Sequence, residues 1–253
     1  MDDGRTTRRG AVFLFDLPAS RDERWALLGR FLGRWFPDQR ANHGVDVAEL
    51  VLAEQRLGIS LPIAFREWYE RYGARPDVWS LQDTLWMPHD LRVERGVLTF
   101  CIENQGVVRW GIRLDELATE DPPVVISDPA DGQAWLVESL TTSAFAMQLA
   151  VLNAKWSGSA RYRANGQGTD EAFGAIARSY PRLPFPDLHW PSWPTHFFGG
   201  DDVIIETNAE TWIWVTARSQ SALAEVDALV RKAGMDGWEA YEESPEARVP
   251  EWT

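Results

Sequence analysis

The chain has 253 residues and a formal net charge of -13, with 45% apolar residues, 25% charged residues and a single cysteine, Cys101. This is ordinary globular composition, long enough to bury a core without staples. One cysteine excludes an intrachain disulfide, and the lack of any 18-residue apolar stretch excludes a transmembrane helix. The opening, "MDDGRTTRRG", is polar and no long apolar run follows it, so a signal peptide is not expected and a cytoplasmic location is.

The charge is unevenly spread. Residues 1–75 carry 12 basic and 11 acidic side chains, residues 76–150 carry 4 and 12, and residues 151–253 carry 9 and 15, giving local nets of +1, -8 and -6. A surface of that sign repels nucleic acid and attracts basic partners, unless it serves only to solubilise the chain.

In chain order, "AVFLF" (Ala11–Phe15) reads as a short strand. "SRDERWALLGRFLGRWF" reads as a helix opened by a capping box, Ser20 with Glu23. Its Trp25, Leu28, Leu32 and Trp35 recur at helical spacing, and Pro37 stops it. "DVAELVLAEQRLG" is a second helix, with Asp46 as cap, Glu49 completing a box and Gly58 fitting the left-handed position that ends helices. Pro62 suits the first turn of a third. There Phe65, Trp68, Tyr69 and Tyr72 form one aromatic stripe, and Gly73 ends the helix.

From residue 79 the period changes. "TLWMP", "GVLTFCIE", "VVRWGIRL", "PPVVIS" and "QAWLVE" read as strands split by turns such as "ENQG" and "DPADG", which suits an antiparallel sheet. "SLTTSAFAMQLAVLNAKW" returns to helix, with Phe145, Leu149, Leu152 and Trp156 on one side. "SGSARYRANGQGTD" reads as a flexible loop and boundary. A short helix follows at Asp170–Ser179, and then a proline-rich segment, "PRLPFPDLHWPSWPTHFFGG". "DVIIETN" and "TWIWVTA" read as a hairpin, "SALAEVDALVRKAG" as a last helix and "WEAYEESPEARVPEW" as an acidic tail. The expected class is α+β, mainly antiparallel sheet packed against helices. One domain spans residues 1–156, and residues 157–253 form a C-terminal hairpin-plus-helix extension packed on it.

Motifs for chemistry are scarce. His43, His89, His189 and His196 are scattered, and His89 beside Asp90 would point to opposite faces of a strand, so no metal or cofactor is expected. No G-x-S-x-G elbow, P-loop or G-x-G-x-x-G supported by a strand occurs. Cys101 lies in an apolar strand and reads as buried and inert. Carboxylate pairs such as Asp115 with Glu116, and Asp201 with Asp202, are expected by chance in so acidic a chain. The fourteen tryptophans invite a sugar-binding reading, but most fall on apolar faces, where core packing accounts for them. The helix pair in "LGISLPIAFREWYERYG" is not a DNA reader. Its second helix begins Pro62-Ile63-Ala64-Phe65, apolar where base contacts would be polar, and carries Glu67 and Glu70, which phosphates would repel.

The order of "LGISLPIAFREWYERYG", "ENQGVVRWGI", "DPPVVI" and a later helix with Phe145 resembles the SUKH superfamily, which includes fungal cell-wall-assembly regulators and bacterial immunity proteins. Leu57, Gly58, Leu61, Pro62, Phe65, Trp68, Tyr69 and Gly73 carry the resemblance, with Gln105-Gly106, Trp110 and Asp121-Pro122-Pro123-Val124. It covers residues 45–156 best, and the first 40 residues depart from the pattern. The resemblance implies an α+β fold, no catalytic residues and a binding role, that of a non-enzymatic immunity protein that caps a cognate toxin, often a nuclease. The alternatives are a regulatory interaction scaffold and an enzyme whose site one sequence does not reveal. The acidic balance agrees with a basic protein partner. The candidate partner-binding residues are the turn carboxylates Glu103, Asp115, Glu116, Glu120, Asp121, Asp128 and Asp131, expected to be solvated in the free protein.

Overall fold

The computed structural model describes residues 16–36, 44–128, 130, 134–157 and 160–242. The expected strand at Ala11–Phe15, together with Pro37, His43 and Asp131, lies outside them. The fold is α+β, with two antiparallel sheets, of six and five strands, and seven α-helices among the described residues.

The first unit opens with three helices, α1 (Arg21–Trp35), α2 (Val47–Leu57) and α3 (Ile63–Tyr72), and a single turn, α4 (Pro76–Trp79). Local chemistry sets their ends. Ser20 Oγ accepts from the Glu23 N–H at 3.3 Å and donates to Glu23 Oε2 at 2.7 Å, satisfying a first-turn amide that has no partner within the helix. Asp46 Oδ1 accepts from Ala48 N–H at 2.8 Å. Gly58 ends α2 at φ 67, where a Cβ would be strained. Pro62 is the residue before α3 rather than its first turn.

The first sheet contains β1 (Asp83–Leu85), β2 (Arg92–Glu94), β3 (Val97–Glu103), β4 (Arg109–Arg113), β5 (Val124–Ser127) and β6 (Trp135–Ser139). Its order is β1-β3-β4-β5-β6, with β2 also pairing β3. Helix α5 (Thr142–Ala154) follows, and every one of its residues except Ala144 is buried. A helix apolar nearly all round must be covered on all sides, and α5 packs against α1, α3, α4 and β6. One-sided packing, as the sequence suggests, is therefore incomplete. The aromatic stripe of α3 meets it: the Trp68 ring lies 5.8 Å from Phe100 and 6.2 Å from Phe145. Phe65, Trp68 and Tyr69 are fully buried.

The second unit runs β7 (Tyr162–Gln167), α6 (Asp170–Ser179), β8 (Thr195–Gly199), β9 (Val203–Asn208), β10 (Trp212–Ala217), α7 (Gln220–Lys232) and β11 (Glu239–Glu242). The strand order is β11-β7-β10-β9-β8. Apart from the edge strand β8, this is a split β-α-β arrangement of the ferredoxin-like kind. It corrects two expectations. The supposed flexible loop contains β7, an interior strand, and the start of the supposed tail is β11, paired with β7. Both stretches lack the apolar alternation that marks a strand: β7 carries small and polar residues around Gly166, and all four residues of β11 are exposed.

Alternation explains how this sheet is covered. Val203, Ile205, Ile213 and Val215 face the core beneath α6 and α7. Ile204 on β9 and Phe197 on β8 join the core of the first unit instead. Successive side chains point to opposite faces, so "VIIETN" is buried throughout because both faces of its sheet are covered.

Candidate functional site

The turn carboxylates separate into two groups. Glu103 is 3% exposed, and its Oε2 accepts from the N–H groups of Gln105 at 2.9 Å and Val107 at 3.2 Å. It braces its own turn and is not a solvated charge. Asp121 is likewise engaged: it pairs with Arg24 at 2.9 Å and accepts from Ser143 N–H and Oγ at 2.9 and 2.6 Å. It joins α1, the β5 entrance and α5. These two corrections share a cause. A carboxylate beside a turn or helix start finds unpaired N–H groups there and turns inward. Glu120 is open to solvent but reaches Arg21 at 2.9 Å. Asp115 is exposed, Glu116 half-buried, and Asp128 half-buried with Oδ1 accepting from Ala130 N–H at 2.8 Å. These four remain at the surface.

The polar groups that do converge lie elsewhere. A cleft of about 200 Å³ opens between the two sheets, lined by Asp83 of β1, Lys155 and Trp156 at the end of α5, Trp190, and Glu206 and Trp214 of the second sheet. Glu206 and Trp214 are direct cross-strand neighbours and share a face. Lys155 is held there because α5 ends at the cleft, and its Nζ meets Glu206 Oε2 at 2.5 Å. The same Nζ lies 5.8 Å from the centre of the Trp214 ring and 6.0 Å from that of Trp156, within cation–π range. Glu206 Oε1 accepts from Asn208 Nδ2 at 2.8 Å.

Asp83 is different. It is 0% exposed, yet neither of its oxygens has a hydrogen-bond partner among the described residues. Burial pushes its carboxyl up to about 7, Glu103 and Glu206 push in the same direction, and Lys155 opposes them. A desolvated carboxylate without partners is costly, and such groups in clefts mark functional sites more often than chance.

Sequence reasoning missed this constellation because its members are far apart in the chain. Two signals were present. Glu206 interrupts the apolar run "VIIETN", and Lys155 is one of only two lysines in the sequence. The tryptophans also divide: Trp25, Trp35, Trp68, Trp79 and Trp110 are core, as expected, but Trp156, Trp190 and Trp214 line the cleft.

The other candidates contribute little chemistry. His89 and Asp90 lie in a turn rather than a strand, and their side chains meet at 3.4 Å on the surface. Among the described residues no group of three or more His, Cys, Asp or Glu side chains could hold a metal ion, and no helix is long and apolar enough to cross a membrane. Cys101 is buried, and burial drives its thiol well above the ordinary range. No family model matches the chain, and no curated protein or solved structure matches it either.

Proposed function

We propose that the chain is a non-enzymatic binding protein of the SUKH type that neutralises a basic protein toxin, a nuclease being the foremost class, by capping its active site. The observation that carries this reading is the acidic balance of residues 76–150, net -8, with Asp115, Glu116, Glu120 and Asp128 at the surface. Charges placed there speed encounter with a basic partner and oppose the approach of a phosphate substrate to it. The test is capture of partners from the native host, followed by co-expression with any toxin recovered. Rescue of growth by this chain supports the reading. Capture of several weak partners, none of them toxic, supports the regulatory scaffold instead.

An enzyme is the second reading, and one observation favours it. A carboxyl that titrates near 7, as Asp83 does, suits general acid–base work at neutral pH. Turnover abolished by Asp83→Asn, with the fold intact, would establish it.

A further inference from the structure

We propose that the cleft between the two sheets binds an organic cation, an alkylguanidinium or alkylammonium group, with Asp83 as its counter-charge. This site is separate from the acidic surface assigned to the toxin and does not depend on it.

The charge balance points to the ligand. Among the described residues, the charged side chains lining the cleft are Asp83, Glu206 and Lys155. Lys155 is committed to Glu206, and Glu103 stands behind Asp83 as its cross-strand partner. Asp83 is thus one cation short, and both of its oxygens are buried and unpartnered among the described residues. An anion would meet Asp83 and Glu206 at once. A neutral hydroxylated ligand could donate to Asp83 but would leave the charge deficit in place. A cation relieves both.

The walls agree. Lys155 Nζ already rests near the Trp156 and Trp214 rings, and Arg163 lies over Trp156 at 5.4 Å. The aromatic surfaces here therefore receive cations. The space, about 200 Å³, is below the roughly 300–1,000 Å³ of drug-sized pockets. It suits a charged head on a short alkyl stem. That head could belong to a free small molecule or to an arginine or lysine of a protein, and the chemistry is the same.

Protonation is linked to binding. The groups facing Asp83 are Glu103 on β3, Glu206 on β9 and Lys155 at the end of α5, with the Cys101 thiol also nearby. A cation binds the ionised carboxylate, so binding releases the proton and strengthens as pH rises through about 7.

The test is an NMR titration of the full chain, following the indole N–H signals, with butylguanidinium and its neutral isostere butylurea. Butylguanidinium should saturate the shifts of the cleft tryptophans, and butylurea should bind at least about tenfold more weakly. Affinity for the cation should rise about tenfold from pH 6 to pH 8, the change in ionised fraction of a group titrating near 7. Asp83→Asn should weaken it by about tenfold or more and flatten the pH profile. Equal binding of cation and urea, a flat profile in the unaltered chain, or an Asp83→Asn protein that binds as well would overturn the proposal. The isostere and the profile decide the matter even if the variant fails to fold. An N-acetyl-arginine methylamide probe separates the sources. Tighter binding than butylguanidinium assigns the site to a protein side chain, and equal or weaker binding assigns it to a free cation. Neither outcome bears on whether a toxin is the partner of the acidic surface.

Discussion

Asp83 and Glu103 stand directly opposite each other on β1 and β3, two carboxylates in one buried cross-strand pair. Like charges in that position repel. Glu103 is stabilised by the turn amides of Gln105 and Val107, whereas Asp83 has no such partner among the described residues. The asymmetry explains why it is Asp83 whose carboxyl is held near 7. Because its pKa is higher in the folded than in the unfolded chain, the native state binds the proton more tightly. The contribution to stability is full below the unfolded value of about 3.9 and is lost as pH rises through about 7. Asp83→Asn should therefore stabilise the protein at pH 8, on the order of 2–4 kcal/mol, and do little at pH 4. Urea unfolding at the two pH values measures this, and an equal effect at both would contradict the assignment.

His189 and Glu138 give the opposite partnership. The nearly inaccessible Glu138 carboxylate meets His189 Nδ1 at 2.7 Å and the backbone N–H of the same residue at 3.2 Å. The hydrogen bond to Glu138 raises the His189 pKa, against the lowering effect of burial. The stabilisation is complete below the unfolded histidine value of about 6.5 and disappears as pH rises through the folded one. His189→Ala should cost about 1–3 kcal/mol at pH 5.5, partly by leaving Glu138 without its cation, and less at pH 8.5. A loss that grows with pH would show that the pair is not ionic.

Trp68 reports on the core. It touches Phe65, Trp79, Phe100 and Phe145 through ring contacts and is fully buried. Trp68→Ala should cost about 3–5 kcal/mol, the range for truncated core aromatics. Thermal or urea unfolding measures it. Unchanged stability with lost partner binding would move the stripe from core to interface.

Most of the fold was legible in the sequence because its signals are local. The Ser20 cap, the Gly58 stop and the α3 stripe act within a few residues, and each reappears in the structure. Glu103 and Asp121 were misread because composition records their charge but not the amide or guanidinium beside them. Strand β7 was misread because "YRANGQ" owes its place to β10 and β11 rather than to its own apolar pattern. The cleft was invisible for the same reason. Asp83, Lys155 and Glu206 lie on different elements and meet only when the second sheet turns its β9 face toward α5.

The surface carboxylates carry the last prediction, and the structure narrows it. Neutralising Asp121 would break its contacts with Arg24 and Ser143, and neutralising Glu103 would release the turn that holds Gln105 and Val107. Either change mixes stability with association. Asp115, Glu116 and Asp128 are less engaged: Glu116 Oε2 accepts from Thr119 Oγ1 at 3.2 Å, where glutamine keeps an acceptor, and Asp128 adds only a minor charge effect on His189. Asp115→Asn, Glu116→Gln and Asp128→Asn together remove three surface charges, and asparagine at 128 keeps an oxygen for the Ala130 N–H. Rim charges act mainly on the encounter rate and are screened within a Debye length of roughly 8 Å at physiological ionic strength. The triple variant should associate with a basic partner about three- to tenfold more slowly at low salt and show a flatter dependence on salt, with little change in unfolding temperature. Asp121→Asn, as a contrast, should lower stability by about 1–3 kcal/mol. Stopped-flow association at several salt concentrations checks the first effect and thermal unfolding the second. An association rate indifferent to both salt and substitution would leave the acidic surface a solubilising one and remove the main support for electrostatic capping.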